Sequence, residues 1–261
     1  MQFVEYFKGL PRDQKILVGI FIYALSAFII SMIIPEKFSN AIYVLLKPLG
    51  EKRAKKLSFE IPRKSFHLCG SIAAILMKKI GRWQFKQLSF VGLAIALFVG
   101  ILEYIRFHNK KVNQWVRENF RSVMRESELD HITGIVPFML GMSLTALFFK
   151  KETVEFGLYC LFLGDTAAAF VGIAFGKRIF KTNTAKSVEG FLGCAAVCSW
   201  LTGVVGQFNV VKGCLCSGLE VLCGTVIKLD DNMVIPLGSA LILAGYQEAV
   251  DEAKWVWSHF K

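Results

Sequence analysis

Residues 154–176 read VEFGLYCLFLGDTAAAFVGIAFG, an apolar run interrupted near its middle by Gly164 and Asp165. In hydrocarbon, backbone N–H and C=O groups have no water to bond, so a spanning segment must be a helix or part of a closed barrel. A run this long suits a helix, which needs roughly 17–25 apolar residues. A barrel strand would alternate polar and apolar over about 10. Residues 88–105, LSFVGLAIALFVGILEYI, have the same character.

Working outward, apolar blocks predict spans at about 16–34, 66–80, 88–105, 132–149, 154–176, 188–206, 213–227 and 232–248. The expectation is an all-α polytopic transmembrane helix bundle of about 7–8 spans. It forms one integral membrane domain over 1–261, with its motifs between about 60 and 240. The first run is too long for a signal-peptide core, lacks a small-residue cleavage site and runs into Ile33-Ile34-Pro35, so it reads as a retained span. The blocks 66–80, 213–227 and 232–248 are short and carry polar residues, which suits tilted, buried or re-entrant segments.

Composition agrees. Of 261 residues, 54% are hydrophobic, and the mean hydropathy is +0.48. The net charge of +11 does not read as nucleic-acid binding, because no folded basic module carries it. Basic loops that orient membrane helices, or that meet phosphate and lipid headgroups, account for it. The long stretch 35–65 reads as a charged loop, and 106–131 as a polar, partly helical segment on the membrane surface. In an eight-span arrangement, 19 of the 31 Lys and Arg fall on the side that holds these two loops with 177–187 and 228–231. That side is expected to be cytoplasmic.

The seven cysteines lie almost entirely in apolar blocks. Cys194 and Cys198 share a helix face, but no His or carboxylate completes a zinc set, so they read as small buried hydrophobes. Gly164, Ala168 and Gly172 form a small-residue stripe at i, i+4, i+8, read as a helix-packing face.

Some polar residues do not fit plain spans. A carboxylate at membrane depth costs several kcal/mol unless it is paired or solvated. Glu103, Asp165 and Glu220 stand out. Glu103 has Arg106 one turn on, and an intrahelical pair is the plainer reading there. Asp165 has no local cation. Phe175-Gly-Lys177-Arg178 and Lys186-Ser187-Val-Glu189-Gly190 combine glycines with lysines, which suits close approach to phosphate oxygens. Arg63-Lys64-Ser-Phe-His67 places a histidine one turn from two cations. Asp231-Asn232 precedes Pro236 and reads equally as a helix N-cap. In the eight-span arrangement these clusters open toward the same basic face, and carboxylates beside lysines suit a nucleotide held through a divalent ion.

In this order, Arg63-Lys-x-x-His67, Glu103-x-x-Arg106, Gly164-Asp165-x-x-Ala168-x-x-x-Gly172-x-x-Phe175-Gly176, Lys186-Ser187-x-Glu189-Gly190, Glu220 and Asp231-Asn232-x-x-Ile235-Pro236 resemble the CTP-dependent lipid-alcohol kinases. That family includes dolichol, phytol and farnesol kinases and the yeast-type diacylglycerol kinases. The resemblance implies transfer of the γ-phosphoryl of CTP to a membrane lipid alcohol with Mg²⁺. It implies catalytic roles for Asp165, His67, Lys186 and Glu189, and nucleotide contacts from Arg63, Lys64, Lys177, Ser187, Gly190 and Asn232. Asp165, Glu189 and Asp231 would be metal ligands. The same pieces also resemble phosphatidate cytidylyltransferase, but the Gly-His-Gly-Gly and Asp-Arg-x-Asp signatures of that enzyme are missing, which favours the kinase. A transporter or lipid-flipping protein is the alternative of another class. It would show an internal repeat, and the 164–190 block has no counterpart in residues 1–130.

Overall fold

The computed structural model describes residues 35–77, 80–120, 126–177, 186–223 and 229–259, with 9, 11–12, 14–15, 18–19, 124 and 180. The span expected at 16–34 lies almost wholly outside the described residues. Among these residues the regular structure is helical throughout and includes no strand. In chain order the helices are α1 (Pro35–Leu46), α2 (Glu51–Met77), α3 (Arg82–His108), α4 (Lys110–Phe120), α5 (Ile135–Phe148), α6 (Lys151–Tyr159), α7 (Asp165–Phe175), α8 (Val188–Val205), α9 (Val210–Leu222), α10 (Asp231–Ala244) and α11 (Tyr246–Ser258). A π-helical turn, Cys160–Gly164, joins α6 to α7.

Among the described residues, three continuous helical stretches are long and apolar enough to cross a membrane: Arg82–His108, Lys151–Phe175 and Val188–Val205. Ile135–Phe148 and Asp231–Ala244 are apolar but shorter. The helices expected over 132–149 and 232–248 are present as 14 residues each; of 213–227 the described part lies in the 13-residue helix Val210–Leu222, and 224–227 are outside the described residues. At 1.5 Å per residue each spans only about 20 Å.

The stretch 35–65 corrects the sequence reading, because it is not a loop. It forms α1, a 3₁₀ turn at Lys47–Leu49, and the first half of α2. Glu, Lys, Arg and Ala in 51–56 are strong helix formers. Ala54, Leu57, Lys64, His67 and Ala74 are buried along α2, at the spacing of one helix face. Gly50, at φ +100°, makes the reversal between α1 and α2 in a backbone region that other residues rarely adopt. The helical reading of 106–131 holds for Lys110–Phe120.

Backbone contact at glycines holds the bundle together. A Cβ on Gly141 would lie 2.5 Å from the carbonyl oxygen of Asn232, and one on Gly157 would lie 2.4 Å from that of Pro236. The backbone of α10 therefore rests directly on α5 and α6. Pro236 has no N–H and leaves the carbonyl of Asn232 without its helical partner. The Gly164–Ala168–Gly172 stripe packs as expected. A Cβ on Gly190 would lie 2.8 Å from the Ala168 carbonyl oxygen, and one on Gly164 would lie 2.9 Å from Cys198 Sγ. The aromatic and aliphatic core includes Phe149, Phe156, Leu161, Phe162, Leu201 and Ile235.

At the end of the bundle where α5 stops and α6 starts, Lys86 donates to the carbonyls of Ala146, Leu147 and Phe149, where α5 ends. It also pairs with Glu252 of α11 at 3.0 Å. Arg82 bonds the same carboxylate at 2.6 Å and stacks on Trp255. The sequence reading places Lys86 in a loop and misses this cluster. Its partner Glu252 lies far along the chain, beyond any local pattern.

Two substitutions separate contact from composition. Gly157→Ala is expected to destabilise the protein by about 1–3 kcal/mol, because the methyl group meets backbone that cannot rotate away. Gly100→Ala meets nothing within 4 Å and should stay within about 0.5 kcal/mol of the parent. Thermal unfolding in detergent measures both; equal effects would show that these contacts do not set the packing.

Candidate active site

The buried face of α2 carries Lys64 into the core, where its ammonium donates to Asp165 Oδ2. Lys64 is 1% exposed and Asp165 3%. The missing local cation for Asp165 is thus supplied by another helix, 101 residues earlier in the chain. His67, one turn along the same face, places Nδ1 3.9 Å from the same carboxylate oxygen. Its ring lies edge-on to Phe162 and is tilted against Phe138.

Asp165 is the first residue after the π turn. Such a turn inserts one residue into the helical ladder and re-aims the side chains beyond it; π turns recur at functional sites. Thr166 closes the irregular ladder by donating to the Phe162 carbonyl at 2.5 Å. On the other side of the turn, Cys194 and Cys198 thiols approach to 3.8 Å, and Cys160 lies beside Cys198 and Cys216. These buried thiols fill the space between the π turn, α8 and α9. Among the described residues no group of three His, Cys, Asp or Glu side chains has the spacing of a metal site.

A second ion pair sits beside the first. Lys186 donates to Glu220 of α9. Burial opposes the charge of Lys186, which lies outside the membrane-crossing helices. Glu220, with Asp165 and Asp231 behind it, outweighs that cost and holds the ammonium above the ordinary lysine range. Lys186 is therefore a fixed positive charge among three carboxylates. Next to it, Ser187 caps α8 by accepting from the Gly190 N–H at 3.0 Å. Gly190 is needed there, because the first turn of α8 packs against the backbone of α7.

The reading of Asp231-Asn232 as a cap is corrected by one residue. The N-cap of α10 is Asp230, which accepts from the Asn232 N–H at 2.9 Å. Asp231 and Asn232 occupy the first turn. Asn232 is 6% exposed, and its Oδ1 is buried without a hydrogen-bond partner. Buried orphan acceptors are rare, because losing water without a replacement costs about 1–3 kcal/mol.

The structure thus brings together Lys64, His67, Asp165, Lys186 and Glu220, with Asp231 and Asn232 alongside. Glu189 lies half-buried in the first turn of α8, and it does not join Asp165 and Asp231 in a three-carboxylate cluster. Lys177 is exposed just past the end of α7. Lys64 is committed to Asp165 rather than left free for phosphate. Arg63 lies within α2, but its side chain, like Arg178, is outside the described residues. Glu155 is also buried, beside Tyr159; the sequence reading passes over it, although a carboxylate inside the run at 154–176 is a signal to notice.

No family model matches the chain, and no solved structure does. The chain is 29% identical over 202 residues to a CTP-dependent diacylglycerol kinase of Schizosaccharomyces pombe, covering 70% of this chain and 92% of that protein. The corresponding kinase of Saccharomyces cerevisiae is 27% identical over 203 residues, covering 75% of this chain and 67% of the relative. An uncharacterized protein of Rickettsia prowazekii is 27% identical over 200 residues, covering 72% and 95%.

Removing one partner of a buried ion pair leaves an uncompensated charge and costs about 3–5 kcal/mol. Lys64→Met should therefore destabilise strongly, and Lys64→Met with Asp165→Asn should recover much of the loss. Thermal unfolding of the two single variants and the double variant measures the coupling. Additive losses would mean that the two side chains do not rely on each other.

Proposed function

We propose that this protein is a CTP-dependent lipid kinase, and that its acceptor is diacylglycerol, with phosphatidate and CDP as products. The gathering of Lys64, His67, Asp165, Lys186 and Glu220 in one buried cluster carries this reading. It occurs in a chain similar over most of its length to kinases of that name. A purely structural bundle has no reason to bury so many charges at one place.

In this reading His67 accepts the hydroxyl proton of the lipid. The Asp165 carboxylate, held by Lys64, orients the imidazole and stabilises its protonated form. The lipid oxygen attacks the γ-phosphorus of CTP in line, and the bond to the β-phosphate oxygen breaks. Lys186, charged throughout the physiological range, neutralises the phosphates. Lys177, exposed just past the end of α7, is a further cation for the phosphates. The backbone N–H groups at the start of α8 other than that of Gly190, which the Ser187 cap takes, form an anion-accepting helix terminus.

Mg²⁺ fits the donor chemistry. It commonly takes only one or two protein oxygens and fills its octahedron with nucleotide phosphates and water, so no three-residue cage is required. Asp231 and Asn232 Oδ1 would hold it, and it would supply positive charge that neutralises the phosphates. Asp165 and Glu189 are further candidate ligands for the same ion.

The test supplies γ-labelled CTP and ATP in parallel to the purified protein, with Mg²⁺ and a panel of diacylglycerol, phytol, farnesol and polyprenol. Label is expected in phosphatidate, from CTP and not from ATP. Label in a prenol phosphate would move the acceptor. Pyrophosphate release with phosphatidate as substrate, and no labelled lipid, would replace the kinase with a cytidylyltransferase.

A further inference from the structure

Glu103 and Arg106 form a second buried polar centre at the end of α3, and the proposed transfer reaction uses neither. Arg106 is 2% exposed. Its Nη2 donates to Glu103 Oε2 at 2.7 Å, to the His131 carbonyl at 2.7 Å and to the Glu128 carbonyl at 3.2 Å. Its Nη1 reaches the Leu129 carbonyl at 3.5 Å. Three of these four acceptors are backbone oxygens of one short segment. The remaining carboxylate oxygen, Glu103 Oε1, accepts from Thr133 Oγ1 at 3.2 Å. An intrahelical pair that served only α3 would have no reason to grip this segment from Glu128 to Thr133.

That segment leads directly to Asn232. Glu128 Oε1 accepts from the Gly134 N–H at 3.1 Å, which fixes the turn into α5. A Cβ on Gly134 would lie 3.4 Å from Asn232 Nδ2 and 3.0 Å from Glu128 Oε1. The carboxamide of Asn232 is therefore seated against the backbone that Arg106 holds. Two turns further along, in α5, Gly141 rests on the Asn232 carbonyl. The amide nitrogen of Asn232 thus lies beside Gly134, and its Oδ1 is buried without a hydrogen-bond partner.

We propose that Arg106, clamped by Glu103, is a positioning residue for Asn232, acting through residues 128–134 and not by touching the nucleotide. The kinetic part of this inference rests on the kinase reading; the structural part does not. Arg suits the task because its planar fork presents five donors to several carbonyls at once, and a lysine ammonium cannot reproduce that spread.

Hydrogen exchange on the unliganded protein tests the structural part. Arg106→Gln should speed exchange in 128–134 and also in the first turn of α10, while the start of α8 at 188–190 keeps its protection. Unchanged exchange at 231–234 would overturn the proposal. Glu103→Gln, which leaves buried Arg106 without its counter-ion and offers one acceptor oxygen where the carboxylate offered two, should speed exchange in 128–134 in the same direction as Arg106→Gln. Kinetics then separate positioning from direct contact. Arg106→Gln and Arg106→Lys should each raise the KM for Mg·CTP by about 10- to 100-fold, the usual cost of losing an outer partner of a ligand. In an Asn232→Ala background the same changes should add almost nothing. An undiminished effect in that background would mean that Arg106 meets the nucleotide itself, and the proposal would fail. A parent protein that transfers no phosphate from CTP would defeat the kinase reading and leave the exchange result to decide the positioning role.

Discussion

The ion pair between Lys64 and Asp165 is the constraint around which the rest of this bundle is arranged. A carboxylate in the middle of a membrane-crossing helix has no solvent to satisfy it, and Asp165 has no cation on its own helix. It can be tolerated only if another helix delivers one. Helix α2 does so. Its charged N-terminal half and its buried face at Ala54, Leu57, Lys64 and His67 belong to one continuous helix, so an apparently polar stretch of sequence becomes the arm that neutralises the core. The π turn at Cys160–Gly164 directs Asp165 toward that arm, and the thiols of Cys160, Cys194 and Cys198 fill the space behind it.

The second ion pair depends on close helix contact. Lys186 reaches Glu220 only because α7, α8 and α9 approach one another at residues without side-chain bulk. Gly172, Gly190 and Gly213 each stand where a Cβ would press on a neighbouring helix. Such contact replaces the hydrophobic driving force that is absent between helices in lipid. The glycines that look costly for isolated helices are the ones that bring charged side chains from distant parts of the chain into one cluster.

Much of this is readable in the sequence. Asp165 and Glu220 are marked by their misfit with an apolar setting, Lys64 and His67 as a histidine one turn from a cation pair, and Lys186 by its glycine-flanked basic cluster, while the Gly164–Ala168–Gly172 stripe packs as its spacing predicts. What the sequence conceals is pairing. Nothing local says that Lys64 serves Asp165, that Lys186 serves Glu220, or that Arg106 holds the carbonyls of a distant loop. Residues 35–65 read as a loop because of their charge, whereas Glu, Lys, Arg and Ala are strong helix formers and one of these charges, Lys64, is carried into the core. The helix expected over 232–248 stops at Ala244, because Gly245 at φ +78° breaks it before a new helix starts at Tyr246.

In the kinase reading the buried carboxylate of Asp165 is chemical and not merely structural. Asp165→Asn keeps the shape of the side chain and can still accept a hydrogen bond from Lys64. The most direct measurement is phosphoryl transfer from γ-labelled CTP to diacylglycerol by this variant, alongside its thermal unfolding. The expected result is a protein that unfolds at a lower temperature than the parent, is still folded at the assay temperature and transfers no measurable label. Transfer at the parent's rate by the folded variant would contradict a chemical role for Asp165.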